Sequence, residues 1–198
     1  MDKKRLVVAF GDSLTVGYQS PTYERPWYEE TPYAEFLSKH LSGGLNFITS
    51  GISGELTEEM LRRFPSDVIA VKPDYVIILG GSNDLGWGMQ PTVVMQNLYT
   101  MYMMAQEANI VPIAVTVPSI RGYDVMIRPR MVLNDMIQDT ARDIGIPCVD
   151  MFTKSAEPGT LRLAQQYSND GLHLTTEGYM LLADLLYNEV FLNFPRQQ

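Results

Sequence analysis

Five short apolar runs punctuate the chain, and a longer stretch with helical periodicity follows each. The runs are 5–10 (RLVVAF), 45–50 (LNFITS), 75–80 (YVIILG), 110–117 (IVPIAVTV) and 146–151 (IPCVDM). All are rich in Val and Ile and near-continuous rather than alternating, which is the pattern of strands covered on both faces. Helical patterns fill the intervals at 32–41, 56–64, 91–108 and 132–145, and a last one covers 175–192. In that last segment Tyr179, Leu182, Ala183, Leu186 and Val190 recur at i, i+3, i+4, i+7 and i+11, one apolar face, with Thr175 or Thr176 as N-cap. A repeated β–α order implies a mostly parallel five-stranded sheet with helices on both faces, an α/β architecture joined by right-handed crossovers. With 198 residues, no internal repeat and no low-complexity linker, the chain is expected to form a single domain over 1–198.

Three long loops, 14–31, 118–131 and 152–169, follow predicted strands at their C-terminal ends. That is the edge where open α/β sheets bind ligands. Charge and composition narrow the ligand. The formal net charge of −8 argues against a nucleic-acid partner, which needs a basic face. The one cysteine, Cys148, lies in an apolar run (GIPCVDM), so no intrachain disulfide is available and a buried structural role is expected. Two histidines, His40 and His173, are too few for a His-rich metal site. The first ten residues, MDKKRLVVAF, read as the approach to a strand rather than as a secretory segment. No stretch approaches the roughly 18 apolar residues that span a bilayer, so no stable membrane insertion and a cytoplasmic location are expected. The methionines of 89–104 are expected on a core face of one helix. The apolar segment 187–194 would pack on its own domain or on a partner, and oligomeric state stays open.

Ser13 lies just past the first strand, at a turn that Gly11 permits, in VVAFGDSLTVGY. The placement resembles a strand–turn–helix nucleophile elbow, although the G-x-S-x-G pattern is absent. Taken alone, Ser13 reads first as a helix cap. His173 precedes the last helix, with Asp170 three residues before it, close enough to accept from Nδ1–H and leave Nε2 as a base. A D-x-x-H stretch can equally end a loop. His40 sits at a helix C-terminus, where a cation suits the dipole. Gly51 and Gly54 follow the second strand, and Asn83 follows the third; both places suit oxyanion donors, and Asn83 and Asp84 suit ordinary turns as well. Together these positions supply a nucleophile, two donors and an Asp–His pair on one sheet edge.

Four blocks, GDSL (Gly11–Leu14), GISG (Gly51–Gly54), GSND (Gly81–Asp84) and DGLH (Asp170–His173), resemble those of the GDSL, or SGNH, hydrolase family of serine esterases and lipases, in the family's order and across nearly the whole chain. The resemblance implies a three-layer α/β/α, flavodoxin-like fold with strand order 2-1-3-4-5. It implies Ser13 as nucleophile, His173 as base and Asp170 as its orienting acid. The oxyanion hole would comprise the N–H groups of Ser13 and Gly54 and the side chain of Asn83, with Asp12 as a structural support of the turn. Ser82 departs slightly from the family pattern and leaves Asn83 in register.

The resulting expectation is a cofactor-independent serine hydrolase, without a metal, acting on a small-molecule carboxylic ester of short to medium acyl chain. Carbohydrate O-deacetylation and thioesterase or lysophospholipase activity would use the same triad. A non-catalytic flavodoxin-like binding module, with phosphate held by the first loop, leaves Asn83 and the Asp–His pair unexplained. Loop 18–33 carries Tyr18, Tyr23, Trp27, Tyr28 and Tyr33, and loop 118–131 carries Arg121, Arg128 and Arg130. The candidate substrate contacts are Tyr18, Trp27, Tyr28 and Arg121; the loop arginines otherwise read as solvated charges.

Overall fold

The structure, a computed structural model, describes residues 5–41 and 44–192. Five parallel strands, β1 (Arg5–Gly11), β2 (Leu45–Gly51), β3 (Tyr75–Leu79), β4 (Val111–Val115) and β5 (Cys148–Val149), form one sheet in the order β2-β1-β3-β4-β5. This is the expected 2-1-3-4-5 order. The helices in chain order are α1 (Ser13–Val16), α2 (Tyr33–His40), α3 (Thr57–Phe64), α4 (Ser82–Gly86), α5 (Pro91–Glu107), α6 (Ile127–Ile144), α7 (Met151–Ser155) and α8 (Thr176–Leu186). Among the described residues no helix is long and apolar enough to cross a membrane.

The continuous apolar runs follow from the two covered faces. Val7, Ala9, Ile77 and Leu79 enter one core with Tyr33 and Leu37 of α2 and Tyr179 and Leu182 of α8. Their neighbours Val8, Phe10, Val76 and Ile78 enter the opposite core with Met60, Phe64, Leu98, Met101 and Leu133 of α3, α5 and α6. Side chains alternate across a strand, so both faces must be apolar when both are covered. Met95 and Met101 belong to the second core, as expected of that helix. Cys148 is partly buried, and burial pushes its thiol up to about 12, which keeps it protonated and inert.

Strand order reverses at β1, which lies between β2 and β3. Gly11 pairs with Gly51 on one side and Leu79 on the other, so three strands end level. The turn after each strand therefore opens onto the same crevice.

Several boundaries differ from the sequence expectation. β5 has two residues, not six, because Asp150 caps α7 by accepting from the Thr153 N–H at 3.1 Å. α6 starts at Ile127, not 132; Pro129 is tolerated because first-turn N–H groups have no intrahelical acceptor. The 14–31 segment is not a plain loop, since Tyr18–Gln19 and Glu29–Glu30 pair as a short antiparallel ribbon. Of the two threonines expected at the N-cap of α8 it is Thr175 that caps, and the helix passes into a π turn at Tyr187–Phe191. Val190 and Phe191 of the C-terminal apolar segment pack into the chain's own core. Asn193 and Phe194 of that segment, and residues 1–4, lie outside the described residues.

Phe64 is wholly buried and meets Phe10 edge-to-face at 5.2 Å between ring centroids. Phe64→Ala is expected to lose about 3–5 kcal/mol of unfolding free energy. Urea denaturation followed by circular dichroism measures it, and an unchanged midpoint would contradict this packing.

Candidate active site

Asp12 caps α1: its Oδ1 accepts the Leu14 N–H at 2.9 Å, and its carbonyl oxygen accepts from Thr15 and Val16 at 3.0 and 3.1 Å. Ser13 is therefore not the cap. It is the first residue of the helix, and among the described residues its hydroxyl makes no hydrogen bond. Gly17, in the left-handed region at φ +83°, ends the single turn. Burial of Asp12 pushes its carboxyl up to about 7, and the Asp84 and Glu55 carboxylates add to that; the Leu14 N–H and nearby His173 act in the opposite direction.

His173 and Asp170 come from the segment before α8. Asp170 Oδ2 lies 2.7 Å from His173 Nδ1, while Oδ1 accepts the N–H groups of Leu172 and His173, both at 2.8 Å. One carboxylate thus folds the turn and orients the imidazole. The Ser20 hydroxyl, on the ribbon segment, donates to the same Oδ2. Burial alone would raise the Asp170 carboxyl, but the hydrogen bonds from His173, Ser20 and the two amides outweigh it and hold the group well below the usual carboxylate range. The Tyr18 ring packs edge-on against the imidazole, 4.6 Å between centroids, and Tyr28 stacks on Tyr18 at 5.7 Å. Among the described residues His173 Nε2 has no hydrogen-bond partner.

The third part is the 51–55 turn. Gly54 has φ +81°, a conformation that disfavours any side chain even though space beside it is open. Arg63 of α3 holds this turn. It donates to Glu55 through Nε at 2.7 Å and Nη2 at 2.6 Å, to Asp67 at 2.9 Å, to Ser50 Oγ at 2.7 Å and to the Gly11 carbonyl at 2.9 Å. Its guanidinium also lies over the Phe10 ring, 4.1 Å from the centroid. Burial disfavours the arginine's charge, but Glu55 and Asp67 more than offset it.

Asn83 follows β3 at the start of α4. Its Nδ2 donates to the Glu55 carbonyl at 2.9 Å, with Asp12 Oδ2 at 3.4 Å. Asp84 turns inward and takes both the N–H and the hydroxyl of Thr57, at 3.1 and 2.5 Å. Its expected turn role is thus a tie to α3. Among the described residues no group of three or more His, Cys, Asp or Glu could hold a metal ion.

The chain matches the GDSL-like lipase/acylhydrolase family over residues 9–181. The chain belongs to this family. An arylesterase of Vibrio mimicus is 32% identical over 186 residues, 93% of this chain and 87% of that relative. An acetylxylan esterase of Geobacillus stearothermophilus is 24% identical over 169 residues, 78% of this chain and 76% of that one. Among solved structures, a lipase/acylhydrolase from Enterococcus faecalis superposes with a TM-score of 0.79 at 25% identity, covering 98% and 99% of the two chains. As a GDSL hydrolase the protein is an ester hydrolase, which sets aside the non-catalytic binding module.

Of the residues singled out in the sequence, Asp12, Asn83 and the Gly54 turn share contacts at the ends of β1–β3, and Asp170, His173 and Tyr18 form a second group. Trp27 and Tyr28 are exposed at the ribbon, whereas Tyr33, the first residue of α2, is buried in the core rather than lining the loop. Arg121 is not presented to a ligand: it donates to the Leu163 carbonyl at 2.8 Å and pairs with Glu157. Arg128 is exposed, and Arg130 is buried, against the expectation of solvated charge. His40 pairs with Asp184 at 2.7 Å, away from this edge. Arg63 and Ser20 escaped sequence reasoning; a carboxylate following the Gly54 turn was the one hint that a cation would be needed there.

The raised carboxyl of Asp12 has a consequence for stability. Below the usual carboxylate range the group is neutral in both folded and unfolded chains. Between that range and about 7 the unfolded chain releases the proton and the folded one holds it, so this group's contribution falls as pH rises. Asp12→Asn removes the effect. The melting temperature of the variant relative to wild type is expected to climb between pH 4 and pH 8; a difference independent of pH would contradict the assignment.

Proposed function

We propose that the protein hydrolyses carboxylic esters of short to medium acyl chain through an acyl-enzyme on Ser13. The observation that carries this reading is the 2.7 Å contact of Asp170 with His173 Nδ1, which leaves Nε2 free to act as a base; among the described residues neither Nε2 nor the Ser13 hydroxyl has a hydrogen-bond partner. A carboxylate on Nδ1 fixes the tautomer in which Nε2 is basic. In uncomplexed enzymes the base–nucleophile bond is often loose and tightens with substrate.

Ser13 Oγ attacks the ester carbonyl carbon while His173 Nε2 takes its proton. The carbonyl oxygen becomes an oxyanion, held by the N–H groups of Ser13 and Gly54 and by the second hydrogen of Asn83 Nδ2, the first being given to the Glu55 carbonyl. The C–O bond to the alcohol then breaks, and the imidazolium returns its proton to the leaving alcohol. Water attacks the acyl group by the same route, giving the acid and regenerating Ser13. Asp170 stabilises the imidazolium in both halves without itself taking the proton.

A second reading, deacetylation of a sugar, is favoured by the exposed rings of Trp27 and Tyr28 at the ribbon beside Tyr18, since flat aromatic faces suit sugar rings. The acetylxylan esterase relative is consistent with it. Comparing acetyl, butyryl and octanoyl p-nitrophenyl esters with acetylated xylo-oligosaccharides separates the two.

Ser13→Ala and His173→Ala are each expected to cut p-nitrophenyl acetate turnover by about a thousandfold or more, with thermal unfolding unchanged. Asp170→Ala should lower both turnover and melting temperature, because its carboxylate also holds two amides of the turn. Wild-type turnover in purified Ser13→Ala would sink the proposal.

A further inference from the structure

Arg130, in the first turn of α6, is among the largest fully buried side chains of the described residues. Arg25, Arg62, Arg63, Arg121, Arg142 and Arg162 each face a carboxylate. Arg130 faces none among the described residues. Its Nη2 donates to Ser82 Oγ at 3.0 Å and its Nη1 to the Met126 carbonyl at 3.5 Å, while Nε is buried without an acceptor. Burial pushes the guanidinium down to about 10, still charged at neutral pH. A buried charge with no counter-ion is costly, and a folded chain retains one only where something offsets it.

Its position suggests what does. Ser82, Asn83 and Asp84 are consecutive at the start of α4, and each is tied to a different element. Ser82 meets Arg130 of α6, Asn83 meets the Glu55 carbonyl, and Asp84 meets Thr57 of α3. Arg130 is thus one hydrogen bond and one residue from Asn83. The surroundings of Asn83 are otherwise rich in carboxyl groups, with Asp12 and Asp84 both buried there and Glu55 also buried. Arg63 pairs with Glu55, but acidic surroundings still oppose a developing anion.

We propose that Arg130 is a positioning residue for the oxyanion donors: an uncompensated buried cation that anchors the Ser82 end of α4 and favours negative charge beside Asn83. The proposal rests on the reading of Asn83 as an oxyanion donor. The guanidinium does not touch the substrate. Its charge is fixed before the reaction starts, so no reorganisation accompanies oxyanion formation. In a low-dielectric interior such a charge acts beyond contact distance.

The test measures kcat, KM and melting temperature for Arg130→Met, Arg130→Lys and Asn83→Ala on p-nitrophenyl acetate. Arg130→Met is expected to lower kcat about tenfold, with KM changed by less than about twofold. Its melting temperature should not fall, because an apolar side chain replaces an unpaired buried charge. Arg130→Lys should recover most of the lost kcat. If the Met variant does not fold, Arg130→Gln, which keeps a donor for Ser82 and loses the charge, takes its place with the same expected drop in kcat. Wild-type kcat in the uncharged variant overturns the proposal and leaves the Ser13 reading standing, as does a loss of activity that tracks a loss of stability and is not relieved by Lys. Wild-type kcat in Asn83→Ala would remove the oxyanion reading and this proposal with it.

Discussion

The carbonyl oxygen of Gly11 is the point to which the edge of the sheet is tied. It accepts the Ile52 N–H at 3.1 Å and Arg63 Nη2 at 2.9 Å. Those two bonds fix the 51–55 turn against the end of β1, two residues before Ser13. The approach is close enough that a Cβ at Gly11 would stand 2.1 Å from the Leu79 carbonyl oxygen, so only glycine fits between β3 and the turn. Nucleophile turn, Gly54 turn and Asn83 are thus held together by strand ends that finish level and by the bonds of Arg63 and Asn83 to the Glu55 turn.

The same crowding creates an electrostatic problem. Asp12, Glu55, Asp84 and Asp170 all lie in or beside this edge, and each is managed differently. Glu55 is paired with Arg63, Asp84 takes two hydrogen bonds from Thr57, and Asp170 is held ionised by imidazole, hydroxyl and amide donors. Burial drives Asp12 toward its neutral form, up to about 7, and raises Asp84 as well against the opposing bonds from Thr57. A carboxylate that must orient an imidazole therefore stays charged, while burial moves the carboxyl beside the nucleophile toward its neutral form.

The sheet was legible because buried parallel strands leave continuous apolar runs, and their order could be inferred from the family resemblance. Asp170 and His173 were legible because their contact is local, three residues apart. The ties that hold the site were not. Arg63–Glu55, Ser20–Asp170 and Arg130–Ser82 join elements separated by 8, 150 and 48 residues, and no periodicity announces such contacts. Ser13 was ambiguous for a related reason: a serine near a helix start looks like a cap until its neighbour Asp12 is seen to fill that role. The loop arginines misled in the other direction, since Arg121 is spent on Glu157 and Arg130 lies inside the protein because α6 begins five residues early.

The central claim is that Ser13 is the activated nucleophile of this arrangement. Intact-protein mass spectrometry after exposure to a fluorophosphonate tests it most directly. The account predicts one covalent adduct, mapped by peptide sequencing to Ser13 and formed far more slowly when His173 is replaced. An adduct on another residue, or none on a folded protein, would contradict it.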